Sequence, residues 1–130
     1  MADAKANTEQ EPAMSRALAD IVAERQHQIR DNGYDAAHDD GLGRFNMARA
    51  GAAYAMLATG MPPGLTPYPW PWATFKDKGS RQNLVRAAAL LAAEIERGDR
   101  TGFWEAEEAR DAARIEQNRR IVADFLEPEA

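Results

Sequence analysis

Two acidic stretches of the sequence combine residue types that could do chemistry, and the first is the run His38, Asp39 and Asp40. Carboxylate oxygens are the ligands that Mg²⁺ and Mn²⁺ prefer. The same carboxylates would also suit the start of the following helix, because an acidic side chain there interacts favourably with the helix dipole. Both interpretations stay open, and we expect one aspartate to cap that helix while the other faces a ligand.

The second acidic stretch is AEIERGD, where Glu94 borders the apolar face of its predicted helix. A carboxylate at such a border needs a partner, because burial of an unpaired charge is expensive. A salt bridge to Arg25, which lies among the apolar residues of the first helix, would supply that partner. A metal ion would also supply it, and Glu94 would then join Glu24 and the two aspartates, Asp39 and Asp40, as ligands of Mg²⁺.

A third stretch, PYPWPWATFKDKGSR, places aromatic residues directly before cations. Aromatic faces can stack on a base, and cations can bind phosphates. A helix that begins at Ser80 would add an N-terminus, which favours anions. The pattern predicts a nucleotide pocket, and the competing interpretation is a loop that plugs the end of a bundle or contacts a partner protein. The predicted ligand-binding residues are His38, Trp70, Trp72, Lys76, Lys78 and Arg81.

The elements that must position these residues are helical. Four helices are predicted. Apolar residues recur at spacings of three and four in the first and third, the second is rich in small residues, and the fourth is highly charged with apolar residues gathered in two places. These segments are 14–31, 42–59, 80–97 and 103–126. Ser15 is a suitable N-cap for the first helix, and Gly98 is a suitable C-cap for the third. The apolar stripes expected to face the core are Leu18, Ile21, Val22 and Ile29 on the first helix, and Leu84, Ala88, Leu91 and Ile95 on the third.

Between the second and third helices, the stretch MPPGLTPYPWPW contains prolines that exclude a helix or a central strand. The predicted fold is therefore all-α, a four-helix bundle-like domain with a long proline- and tryptophan-rich loop between helices two and three. We expect a disordered tail over 1–13, a helical core domain over 14–100 and a charged C-terminal helix over 101–130.

Composition limits the classes of function. The chain has 130 residues, a formal net charge of −5 and no cysteine. The acidic balance argues against nucleic-acid binding, which depends on Lys and Arg meeting phosphates. The lack of cysteine excludes disulfides and thiolate chemistry. Neither a membrane-spanning run of roughly 20 apolar residues nor a signal peptide is visible, so we expect a cytoplasmic protein without a membrane partner.

The order of motifs resembles that of a family of small phage and prophage proteins. The motifs are AERQHQIRDNGYDAAHDD, ARAGAAYA, WPW and RQNLVRAAALLAAEIERGDR, between about residues 20 and 100. In its acidic helices and its length the chain is also similar to the MazG-like all-α nucleoside triphosphate pyrophosphohydrolases. That resemblance implies Mg²⁺ held by Glu-x-x-Glu on one helix and Glu-x-x-Asp on the next. Glu96 and Asp99 match the second motif, whereas Asn46 stands where the first would place a glutamate.

These expectations lead to two classes of function. In the first, a phage-type protein binds a nucleotide or nucleotide-derived small molecule, either hydrolysing it with Mg²⁺ or sequestering it in the host cytoplasm. In the second, an interaction protein binds a host protein through the WPW loop and the C-terminal helix, without a small ligand. A homo-oligomer is expected in either class, because the apolar end of the C-terminal helix could pack on a second chain.

Overall fold

The computed structural model describes residues 13–31, 33 and 35–126. These residues form α-helices and two short 3₁₀ turns and contain no strand, which confirms the all-α prediction. The predicted disordered tail, apart from Ala13, lies outside the described residues. The helices are α1 (Arg16–Arg30), α2 (Ala36–Asp40), α3 (Asn46–Ala58), α4 (Ser80–Thr101) and α5 (Phe103–Leu126). The short α2 is additional to the four predicted helices.

The chain divides into two compact units, 1–94 and 95–130. The first unit contains α1, α2, α3 and most of α4, together with the predicted proline- and tryptophan-rich loop between α3 and α4. The 3₁₀ turns, Pro63–Leu65 and Trp72–Thr74, interrupt that loop. The second unit contains the end of α4 and all of α5. Among the described helices, none has the length and apolar character required to cross a bilayer.

The ends of α1 and α4 test the predicted capping residues. Ser15 caps α1 as expected, since its Oγ accepts a hydrogen bond from the Leu18 N–H at 3.1 Å. The predicted end of the third helix at Gly98 is wrong, because α4 continues to Thr101. Gly98 is buried inside the helix, where an added Cβ would collide with the ring of Trp104. This glycine therefore makes room for the Trp104 ring and does not end the helix.

The prediction that Asp39 or Asp40 caps the second long helix is also wrong. Both residues lie within the short α2, which is capped by Asp35 through a 2.9 Å bond from the His38 N–H to its carboxylate. The next helix, α3, starts at Asn46 rather than near Leu42 and has no side-chain cap at its start. Neither acidic residue of the pair is thus explained by capping.

The buried face of α1 differs from its predicted apolar stripe. Val22 and Ile29 are 43% and 40% exposed, whereas the buried residues of this helix are Glu24 and Gln28. Glu24 faces α4, where Gln82 donates a hydrogen bond to it at 3.2 Å, and Gln28 donates to Glu24 at 3.4 Å. Polar pairing between helices, rather than apolar spacing, therefore decides how α1 is rotated.

The buried face of α4 also differs from its predicted stripe. Leu84 is 51% exposed and Ile95 is 56% exposed. The physical reason lies in the small residues of α3, because a Cβ at Gly51 would lie only 3.0 Å from the carbonyl oxygen of Ala87. Backbones that approach so closely need small residues at the point of contact, and the side chain of Leu84 is left outside. The buried residues of α4 include Val85, Ala87, Ala89, Leu90 and Ala93.

Candidate functional site

Aromatic contacts hold the loop between α3 and α4 against α3. The Tyr54 ring stacks on Phe75, with centroids 5.1 Å apart, and meets Tyr68 edge to face at 6.1 Å. Trp70 in turn meets Tyr68 edge to face at 5.9 Å. The Tyr54 hydroxyl accepts a hydrogen bond from the Lys76 N–H at 3.1 Å. One buried tyrosine on α3 therefore positions both an aromatic wall and the start of the lysine segment.

The end of the loop is fixed by Asn83, a buried residue of α4. Its side chain accepts a hydrogen bond from the Lys78 N–H at 3.0 Å and donates to the Asp77 carboxylate at 3.1 Å. The Gly79 N–H and Asn83 both donate to Asp77, and these bonds lower the pKa of the Asp77 carboxyl below its usual value. The backbone that carries Lys76 and Lys78 is thus tied to two helices.

An apolar cavity of about 250 Å³ lies within the first unit. Most of its wall is apolar and comes from Leu42, Met47, Trp70, Pro71, Leu90 and Ala93. Its polar lining residues are Arg25, Gln28, His38, Asp39 and Thr74. A flat or apolar group would be desolvated there, with a few hydrogen-bonding groups to orient it.

Asp39 is the centre of the charged part of this wall and is 1% exposed. Its Oδ2 accepts a hydrogen bond from Arg25 Nη2 at 2.9 Å, and its Oδ1 lies 3.1 Å from His38 Nδ1. The sequence predicts a carboxylate partner for Arg25, and Asp39 is such a partner. Glu94, the carboxylate first considered for that role, accepts a hydrogen bond from the Ala48 N–H at 3.1 Å.

A second cavity, here called the cationic cavity, has a volume of about 470 Å³. Its charged lining residues are Lys76, Lys78, Arg86 and Glu24, His27 also lines it, and its aromatic lining residues are Tyr54, Tyr68 and Trp70. Arg86 Nε lies 3.7 Å from Glu24 Oε2, so these two charges offset each other. Lys76 and Lys78 then supply the excess positive charge, which attracts anions.

The two cavities adjoin. Gln28, Trp70, Thr74 and Leu90 line both of them. Because these four residues belong to the wall of each cavity, the two spaces lie next to each other. The arrangement suits a molecule that has a flat ring at one end and an anionic group at the other.

Several of the predicted ligand-binding residues line these cavities. His38 and Trp70 line the apolar cavity, and Trp70, Lys76 and Lys78 line the cationic one. Two others lie elsewhere. Trp72 stacks on Tyr68, with ring centroids 5.0 Å apart, and Arg81 pairs with Asp20 at 2.8 Å.

Sequence reasoning missed Gln28 and Arg86 as lining residues. A signal for Gln28 was present, because Asp20, Glu24 and Gln28 recur every four residues and form a polar stripe on α1. Such a stripe in a helix of the core indicates a polar partner on a neighbouring helix. Arg86 carried no comparable signal, since it is one of four arginines in α4, and arginines on a helix are typical of a solvated face.

The predicted Mg²⁺ ligands do not converge on one point that this structure defines as a metal centre. Glu24 lines the cationic cavity and Asp39 lines the apolar one, whereas Asp40 is exposed and Glu94 binds a backbone amide. Within residues 13–31, 33 and 35–126, no group of three or more His, Asp or Glu side chains is placed to hold a metal ion. The metal site stays a prediction.

The size and the lining of the two cavities suit the binding of a small molecule. Small-molecule sites usually have volumes of about 300–1,000 Å³, and the cationic cavity, at about 470 Å³, lies within that range. A comparison with protein-family models, with curated proteins and with solved structures finds no match for this chain.

Proposed function

We propose that this protein binds a nucleotide or a nucleotide-derived small molecule in the two adjoining cavities. The base occupies the apolar cavity beside Trp70, and the phosphate lies in the cationic cavity near Lys76 and Lys78. The observation that supports this proposal most directly is the shared wall of Gln28, Trp70, Thr74 and Leu90. A ligand with a base and a phosphate matches the different chemistry on the two sides of that wall.

Elementary energetics favour such a ligand. Stacking of a base on an aromatic side chain contributes about 1–3 kcal/mol. Charge-assisted hydrogen bonds from ammonium groups to phosphate are stronger than neutral ones. The chain as a whole has a net charge of −5, so binding of an anion depends on this local cluster of cations. Salt should therefore weaken binding, because exposed lysines are screened within about 10 Å at 0.1 M ionic strength.

Hydrolysis is a separate question from binding. A pyrophosphohydrolase would use Mg²⁺ to activate water and to stabilise charge on the phosphates. Release of phosphate or pyrophosphate that depends on Mg²⁺ would indicate an enzyme. Stabilisation by the nucleotide without turnover would indicate a sequestering protein.

The test is a thermal-shift panel of nucleoside mono-, di- and triphosphates and cyclic nucleotides, each with and without Mg²⁺. We expect at least one nucleotide to raise the melting temperature, since a ligand at a hundredfold excess over Kd adds about 2.7 kcal/mol of stability. The double variant Lys76→Ala/Lys78→Ala should lose most of this shift. Both lysines line the cationic cavity and both side chains are exposed enough for replacement without loss of the fold.

A matched control is the double variant Arg110→Ala/Arg114→Ala, which removes the same amount of charge from the exposed surface of α5. It should bind like the parent. No shift of the parent with any nucleotide, or an equal loss of binding in both double variants, would contradict the proposal.

The second candidate function is protein interaction through α5, and the favoured partner is a second copy of the chain. No residue of this helix is buried, and Phe125 is 86% exposed. Ile115, Asn118, Val122 and Phe125 follow the spacing three, four, three, which is typical of a helix that pairs with a like helix. The other large apolar residues exposed on this part of α5 are Ile121 and Leu126.

Sedimentation analysis over a range of concentrations tests this second candidate. We expect the parent to self-associate and Val122→Glu/Phe125→Glu to remain monomeric, because like charges at the seam repel. The control Ala113→Glu/Gln117→Glu adds the same charge to exposed positions of α5 outside that seam and should associate like the parent. A parent that is monomeric at all concentrations would refute self-association.

A further inference from the structure

The side-chain oxygen of Gln28, Oε1, is buried and has no hydrogen-bond donor among the described residues. The residue is 3% exposed. Buried carbonyl oxygens in native proteins nearly always have a partner, so an orphan acceptor at the wall of a cavity calls for an explanation. A ligand that carries an N–H group would provide the missing donor.

The surroundings of the amide decide which of its ends is the donor. Gln28 Nε2 donates to Glu24 Oε2 at 3.4 Å, and Glu24 also accepts from Gln82 at 3.2 Å. Reversal of the amide would place its carbonyl oxygen against the Glu24 carboxylate, which is repulsive. The oxygen is therefore the end that remains for a ligand. Because a 3.4 Å hydrogen bond is long, a small rotation of the amide toward a ligand gives up little.

Arg86 contains a buried donor that complements the Gln28 acceptor. Its Nε is the other buried side-chain nitrogen or oxygen without a hydrogen-bond partner in the described part of the chain, and it lies 3.7 Å from Glu24. Gln28 and Arg86 both line the cationic cavity, and Gln28 also lines the apolar one. Two residues that line the cationic cavity thus carry one unsatisfied acceptor and one unsatisfied donor, and both atoms are buried in this structure. A ligand with both an N–H group and an anionic oxygen would satisfy them together.

We infer that Gln28 determines which nucleobase is bound. In this inference, which rests on the proposed function, Gln28 Oε1 accepts a hydrogen bond from the exocyclic amino group of a base beside Trp70. Arg86 Nε donates to an oxygen of the sugar phosphate. The ligand class is thereby narrowed to nucleotides of adenine, cytosine or guanine, whose bases carry such an amino group. A base that offers neither this amino group nor a ring N–H at the same place leaves the Gln28 oxygen buried and unpaired, and binding is weaker for that reason.

The experiment compares nucleotides with matched analogues by calorimetry. One pair is adenosine 5′-monophosphate and purine riboside 5′-monophosphate, which differ only by the amino group. The other pairs are the cytidine and guanosine monophosphates with their analogues that have hydrogen in place of the amino group. For at least one pair, the parent should bind the amino compound about tenfold or more tightly, since one unsatisfied buried acceptor has an effect of that size.

Variants then assign the preference to Gln28. Gln28→Leu should bring the two affinities of the pair to within about threefold of each other, while binding of the analogue without the amino group persists. The control Gln26→Leu replaces an exposed glutamine of the same helix and should keep the preference of the parent. A far-ultraviolet circular dichroism spectrum and a melting curve show whether Gln28→Leu is folded, and the comparison of ligands on the parent does not depend on it.

The outcomes separate the two proposals. Equal binding of amino and amino-free nucleotides by the parent overturns the inference and leaves the proposed function standing. A preference that persists in a folded Gln28→Leu protein also overturns the assignment to Gln28. A parent that binds no nucleotide of any kind overturns the proposed function and this inference with it.

Discussion

Arg25→Ala is expected to lower the free energy of unfolding by about 3–5 kcal/mol, the range for breaking a buried ion pair. Asp39 is 1% exposed, and Arg25 Nη2 donates to its carboxylate at 2.9 Å. Removal of the guanidinium leaves that carboxylate buried without this cation, and its desolvation is no longer offset. Urea unfolding of parent and variant, monitored by circular dichroism, measures the difference.

A matched control is available in Arg81, which pairs with Asp20 at 2.8 Å on the surface. Arg81→Ala should cost only about 0–1 kcal/mol, because both groups stay solvated. The double variant Arg25→Met/Asp39→Leu should recover much of the stability lost in Arg25→Ala, since apolar residues of similar volume often replace a buried pair without loss. A cost for Arg25→Ala no larger than that for Arg81→Ala would show that the pair does not hold α1 to α2.

Tyr54→Ala is expected to lower the free energy of unfolding by about 3–5 kcal/mol, as other substitutions of large aromatic residues by alanine do. Tyr54 is 3% exposed, stacks on Phe75 and lies under the Arg86 guanidinium, 5.5 Å from the ring centroid. The substitution also removes the hydroxyl that accepts a hydrogen bond from the Lys76 N–H. Nucleotide affinity should fall together with stability, because the lysine segment loses its anchor.

Tyr54→Phe separates the two contributions of this residue. The ring contacts remain, so the expected cost is only about 1 kcal/mol, the usual contribution of one hydrogen bond. Leu65→Ala, at a residue that is 70% exposed, should change stability by less than about 0.5 kcal/mol. Chemical unfolding measures all three variants. Equal stabilities of Tyr54→Ala and Leu65→Ala would refute the role assigned to the aromatic cluster.

The sequence by itself determined the long helices and the loop. Apolar spacings of three and four indicate the first and third of the predicted helices, and Ser15 marks the start of α1 because capping depends on residues within one turn. The prolines of residues 62–71 exclude regular structure through their own backbone geometry. These are local effects, so they can be predicted without knowledge of the packing. The sequence also predicts that aromatic residues lie close to Lys76 and Lys78, because the two groups are neighbours in the chain.

Only the tertiary structure decided which face of each helix is buried and which groups meet. Leu84 and Ile29 stay exposed, whereas Glu24 and Gln28 are buried, because the alanine and glycine residues of α3 admit α4 closely and polar side chains pair between α1 and α4. Asp39 meets Arg25 rather than capping a long helix, because α2 turns it inward after its own cap at Asp35. Periodicity states that a helix has two unlike faces, but the shape and polarity of the neighbouring helices select the one that is buried.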